Sequence, residues 1–176
     1  MKTTLLAFLS MLIFSISVFA NPYPATLDNG NLVLVDAGMG VGQYAVRPSV
    51  KADSYNPPHY QLTIDVVSVN FSDNYWQQYG TYVGSPYHYG KTYRHRFSYT
   101  WTNKMLSYER GNQWFVWDIY RDHSHADGEP LIPNAAEVAF VTAYNMRFFD
   151  STMKYSPLLK SYSRVIDDSL YRALRI

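Results

Sequence analysis

Tyr93-Arg94-His95-Arg96-Phe97-Ser98-Tyr99-Thr100-Trp101 opens the stretch of this chain that decides its architecture. Rings at Tyr93, His95, Phe97, Tyr99 and Trp101 alternate with Arg94, Arg96, Ser98 and Thr100. That two-residue period belongs to a strand with one packed and one wet face. Thr102-Asn103-Lys104 then turns the chain into Met105-Leu106-Ser107-Tyr108-Glu109, and Arg110-Gly111-Asn112 turns it again into Gln113-Trp114-Phe115-Val116-Trp117-Asp118-Ile119. Three apolar-patterned segments joined by short turns make an antiparallel meander.

Upstream, Leu32-Val33-Leu34-Val35 reads as a short strand and Asp36 to Gly42 as a glycine-rich turn. Gln43-Tyr44-Ala45-Val46 is the return strand, with Pro48 limiting its length. The Gly38, Gly40 and Gly42 spacing is assigned to a hairpin, because a phosphate loop would have to open a helix and none follows. Ser54 to Pro58 reads as a loop. Tyr60 to Val66 alternates apolar and polar; Val67, Val69 and Phe71 then continue in the opposite phase, which predicts a bulge or bend near Val66–Val67. Residues 72–90 hold Trp76, five tyrosines and three glycines without a clean period and are read as a long aromatic loop.

Downstream the pattern becomes helical. Asn134 with Glu137 resembles a capping box, and Val138, Val141, Tyr144, Phe148 and Phe149 give an amphipathic helix over 134–149. Ser156-Pro157 is the expected start of a second helix carrying Leu158, Leu159, Tyr162, Val165, Ile166, Leu170, Tyr171 and Leu174. The fold class is therefore α+β: an antiparallel curved meander sheet, partly barrel-like, packed against C-terminal helices.

Residues 1–20 read as a cleavable signal peptide. Lys2 precedes the apolar run Leu5 to Phe14, Ala20 fits the last position before the cut, and the flank Asn21-Pro22-Tyr23-Pro24 is uncharged and helix-breaking. A membrane anchor would need about 20 apolar residues and a charged flank. The expectation is one secreted domain over 21–176, in a periplasm, cell envelope or outside the cell, without stable membrane insertion after cleavage. Of 15 Lys+Arg and 14 Asp+Glu, removal of Lys2 leaves 14 against 14. That balance argues against nucleic acid as a partner. With no cysteine, disulfides, thiolate metal sites and a cysteine nucleophile are all excluded.

Two places could carry function. The first is the aromatic loop, where Tyr75, Trp76, Tyr79, Tyr82, Tyr87 and Tyr89 sit among Gly, Ser and Gln, with His88 beside them. Such rings stack on sugars or bury into a protein partner. The second is the polar run from Arg121 to Glu129, where His123 and His125 could bind a zinc-type metal with Asp127 or Glu129. Acid/base carboxylates are available at Asp36, Asp65, Glu109, Asp118 and Glu137, but no Gly-x-Ser-x-Gly setting for a nucleophile occurs.

In element order the chain resembles small exported bacterial proteins, with Leu32 to Val35 leading to Tyr44-Ala45-Val46-Arg47-Pro48-Ser49-Val50. The hairpin Phe97-Ser98-Tyr99-Thr100-Trp101 and the Trp114-Phe115-Val116-Trp117 strand follow. Over roughly residues 31–148 it is distantly similar to surface-adhesin protein E type domains. That resemblance implies a sheet with helix and a host-protein-binding role, though the cysteines common in that group are missing and no binding residue carries over. The chain reads as a non-enzymatic interaction module for a protein or glycan partner, with no resident cofactor. The alternative is an extracytoplasmic metal-dependent or acid/base hydrolase centred on His123 and His125.

Overall fold

The computed structural model describes residues 23–71, 87–119, 130–156 and 160–176. Its main sheet has seven antiparallel strands in strictly sequential order: β1 (Thr26–Leu27), β2 (Leu32–Gly38), β3 (Val41–Asn56), β4 (His59–Phe71), β5 (Tyr87–Thr100), β6 (Met105–Arg110) and β7 (Gln113–Trp117). The meander predicted from the aromatic stretch is β5 to β7. Phe97 faces Tyr108, Tyr99 faces Leu106, and Leu106 faces Trp117, so the apolar parity is continuous across three strands. Gly111 and Asn112 both have positive φ, the geometry a two-residue hairpin turn requires. β1 and β7 are the two edges and do not pair with each other, so among the described residues the sheet is open and not a closed barrel.

Met39 and Gly40, again both at positive φ, close the β2–β3 hairpin, as its glycines suggest. Gly42 serves packing instead. A Cβ there would lie 2.5 Å from the Tyr44 ring and 3.3 Å from Phe71. Pro48 does not stop β3. The ladder shifts register between Val46 and Lys51, and Ser49 Oγ spans the gap, donating to Val46 O (2.7 Å) and accepting from Asp65 N (2.8 Å). The strand then continues to Asn56, so the turn is shorter than the expected Ser54–Pro58 loop and contains only Pro57-Pro58.

β4 does not slip at Val66–Val67. Ala45 faces Val66 and Tyr44 faces Val67 in an unbroken ladder with β3; the irregularity lies in the pairing with β5, between Val67–Thr92 and Val69–Tyr89. What changes is the covered face. Tyr60, Leu62, Ile64 and Val66 join a large core on one side of the sheet. Val67, Val69 and Phe71 join Tyr23, Leu27, Leu32 and Tyr44 in a smaller core on the other. Even and odd positions thus alternate regularly throughout, and the apparent phase flip marks the place where burial passes from one face to the other.

Helix α1 (Leu131–Tyr144) begins three residues before the expected Asn134 and ends at Asn145, whose positive φ stops it and whose N–H bonds Val141 O at 2.8 Å. The capping box does not form. Asn134 Nδ2 instead donates to Val35 O (2.8 Å), tying the helix to β2, and Glu137 turns into the core. Ala135, Ala136 and Ala139, all buried, present a small-residue surface on the helix, which packs mainly on β3. Phe140 sits among Tyr99, Trp101, Tyr60 and Phe148, with ring centroids 5.0–5.7 Å away. Phe148 and Phe149 lie beyond the helix, where the returning chain inserts them into the same core.

The expected second helix from Ser156 is replaced by a hairpin, β8 (Met153–Ser156) with β9 (Ser161–Arg164), and a shorter helix α2 (Asp168–Leu174). Asp167 caps α2, its Oδ1 accepting from Ser169 N at 2.7 Å. A side-chain cap makes Asp167 the favourable start, while Tyr155 and Tyr162 pair across the hairpin with centroids 5.0 Å apart. Leu170, Tyr171 and Leu174 are buried as the pattern requires. No helix among the described residues is long and apolar enough to cross a membrane.

Because Phe140 packs against four rings and meets the sheet through Tyr60 and Tyr99, Phe140→Ala should lower unfolding free energy by about 3–5 kcal/mol. Urea denaturation measures this; a loss below about 1 kcal/mol would mean that the helix is not seated on these rings.

Candidate functional site

Of the aromatic loop, Tyr75, Trp76, Tyr79 and Tyr82 lie outside the described residues, as do His123, His125, Asp127 and Glu129. Tyr87 is half-buried against Phe71 (6.0 Å between centroids) and supports the smaller core. Tyr89 stands edge-on to it at 5.6 Å and is 57% exposed. Among the described residues no group of three or more His, Cys, Asp or Glu is placed to hold a metal ion.

Tyr89 pairs with Val69, so it projects from the side of the sheet opposite α1. Further along, that side is open to solvent and carries a line of locked polar groups. Arg94, opposite Asp65, makes a two-pronged contact with its carboxylate (2.8 and 3.2 Å). Arg96 bonds Glu109 at 2.9 Å and approaches Asp53 at 3.5 Å, and Asp53 in turn accepts from Thr63 Oγ1 at 2.6 Å. The Arg96 guanidinium also lies 5.7 Å from the Trp114 ring, holding an exposed indole against the sheet. Val116 follows Trp114 on the same face and is 62% exposed. Two of the candidate acid/base residues, Asp65 and Glu109, are therefore engaged as arginine partners. Asp36 accepts from Ala37 N (2.9 Å) within β2, where its register against β3 shifts, and Asp118 lies exposed just beyond β7. Burial against Phe97, on which its ring stacks, pushes the His95 imidazole below its ordinary value.

The fifth carboxylate, Glu137, is fully buried in the middle of α1. Its Oε1 accepts from Tyr171 Oη (2.8 Å) on α2, and its Oε2 from Phe149 N (3.1 Å) in the returning chain. One side chain therefore holds three segments together. Burial raises its pKa to about 7, against the opposing pull of these donors and of Lys104. Tyr171 is raised in turn, by burial and by the carboxylate beside it. The sequence signal was a lone acid inside the apolar run Ala135 to Val141, which the capping-box reading absorbed. A cleft of about 430 Å³ next to this cluster is lined by Trp101, Lys104, Arg147, Phe149, Asp150 and neighbours. Its cations are already engaged: Lys104 Nζ sits 3.3 Å from the Trp101 ring centroid, and Arg147 lies over Tyr171 and donates to Ile176 O at 2.8 Å.

The open side of the sheet presents exposed aromatic and arginine side chains, and Glu137 is placed as a latch within the core. No family model, curated protein or solved structure matches the chain.

The latch has a pH signature. A carboxyl raised from 4.5 to about 7 in the folded state makes the native protein bind more protons than the unfolded chain between those values. Stability therefore falls as pH rises from about 4.5 to about 7, by on the order of 3 kcal/mol from this group, and is flat above. In Glu137→Gln the amide oxygen can still accept from Phe149 N while the NH₂ donates to Tyr171 Oη. This variant should fold and lose that slope in denaturation curves taken across the window. An unchanged slope in the variant would place the titration elsewhere.

Proposed function

We propose that this chain is an exported, non-enzymatic binding module whose open sheet face meets a protein or glycan partner. The observation that carries the reading is the exposed indole of Trp114 fixed by Arg96, which is itself locked by Glu109 and Asp53. A ring held in place before binding loses little conformational freedom when a partner covers it. Tyr89, the exposed member of the aromatic set, stands on the same side of the sheet. Tryptophan, tyrosine and arginine are the residue types that dominate contact energies at interfaces. The signal-like leader over residues 1–20 and the resemblance to adhesin-type domains support the same reading, of a module that works in the envelope or outside the cell.

Binding of the exported protein to immobilised glycans and extracellular-matrix proteins tests this. A ligand held by the parent should be weakened about ten-fold or more in Trp114→Ala and in Tyr89→Ala, with unchanged thermal midpoints. Stoichiometric zinc in protein purified without an affinity tag, lost in His123→Ala/His125→Ala, would replace this reading with the hydrolase.

A further inference from the structure

The formal charge of this chain is unevenly distributed. Residues 21–150 contain nine Lys and Arg against twelve Asp and Glu, a formal −3, whereas residues 151–176 contain five against two, a formal +3. Three of those five cations, Lys154, Lys160 and Arg164, belong to the β8–β9 hairpin, and no acid occurs between Met153 and Arg164.

The hairpin is two-stranded, and every residue of β9 is exposed. It is anchored where Val165 N bonds Thr152 O at 3.0 Å and Val165 and Ile166 enter the core. Its register sorts the side chains. Met153, Tyr155, Tyr162 and Arg164 share one face, and Lys154 and Ser163 lie on the other, with Lys160 at the turn. On the first face Met153 is 43%, Tyr155 41% and Tyr162 70% exposed, and the two tyrosine rings pack on each other. Arg164 is also paired with Asp168 of α2.

We propose that the Tyr155/Tyr162 face of this hairpin docks the protein on an anionic lipid surface, Lys160 at the turn and Arg164 meeting the headgroups while Tyr155, Tyr162 and Met153 enter the interfacial layer. Charge complementarity selects an anionic occupant, and tyrosine favours the depth where one end of the ring is apolar and the other wet. Size selects a lipid surface over a folded protein. A stable protein interface takes about 20–30 residues from each side, far more than two four-residue strands supply. The contact is adsorption, without a membrane-crossing segment, and it uses a different surface from the open sheet face, so either reading can fail alone.

Co-sedimentation of the exported protein with vesicles tests the proposal. One set is phosphatidylcholine alone, the other phosphatidylcholine with an equal share of phosphatidylglycerol. The protein should sediment with the second set only and be released by added salt. Each cation near such a surface is worth about five-fold in partitioning, so Lys160→Glu/Arg164→Glu should reduce binding more than ten-fold. Tyr162→Ser should weaken it as well, while Lys51→Glu, an exposed charge on β3, should leave it unchanged. Thermal midpoints equal to that of the parent exclude loss of folding. Equal sedimentation with both vesicle sets, or parent-like binding by the charge-reversed variant, would overturn the proposal. Concentration-dependent self-association abolished by the same two changes would also overturn it and assign the hairpin to a second copy of the chain.

Discussion

Strand β4 is covered on both faces, and most of the molecule is arranged around that fact. Thirteen residues long, it buries Tyr60, Leu62, Ile64 and Val66 on one side and Val67, Val69 and Phe71 on the other. A strand apolar on one face needs one covering layer; this strand needs two, at different points along its length. The first is α1 with α2. The second is small and comes from the N-terminal end of the sheet, through Tyr23 and through Leu27 of β1, with Tyr23 edge-on to Phe71 at 5.5 Å and Tyr44 beside them on β3. Tyr23 Oη accepts from Gly40 N and Tyr44 Oη donates to Pro24 O, each at 2.9 Å, so the rings of the second layer also satisfy backbone groups at its edge. The sheet face left uncovered by both layers is the one that carries Arg94, Arg96 and Trp114.

Within the larger core one polar group is retained. Glu137 takes donors from the returning chain and from α2, and so sets where the C-terminal helix lies against α1. An apolar residue of similar size would avoid the desolvation cost but would leave the Phe149 N–H and the Tyr171 hydroxyl buried without this acceptor. Tyr99 makes a comparable contact, its hydroxyl donating to Ala136 O at 2.9 Å from inside the sheet. Sheet, first helix and second helix are in this way joined by oriented hydrogen bonds as well as by packed rings.

The legible parts of the sequence were those where a single local rule operates. Alternation from Tyr93 to Tyr99, with the Gly111-Asn112 turn, was enough to place the meander. Glycines at 38, 40 and 42 were enough to place the β2–β3 hairpin. The misread parts are those where tertiary contacts override a local signal. Asn134 and Glu137 have cap spacing, yet each finds a distant partner. Pro48 suggests a strand end, yet the bulge bridged by Ser49 carries the strand past it. From Leu158 to Leu174 the apolar spacing suits one helix, but the Tyr155–Tyr162 pair and the Asp167 cap divide the segment into hairpin and helix. Of the candidate site, Tyr89 was legible as one ring of the aromatic set and stands exposed, whereas the Arg96–Trp114 pairing needed the register of three strands and could not be read from one.

Residue-resolved amide hydrogen exchange tests the two-sided burial of β4 most directly. Slowly exchanging amides should continue along the inner part of the strand from Leu62 through Val69, across the Val66–Val67 junction, at a level close to global unfolding. Protection that stops at Val66 and leaves Val67 to Val69 exchanging like a surface edge would contradict the second layer, and with it the account of why the opposite half of that face stays open.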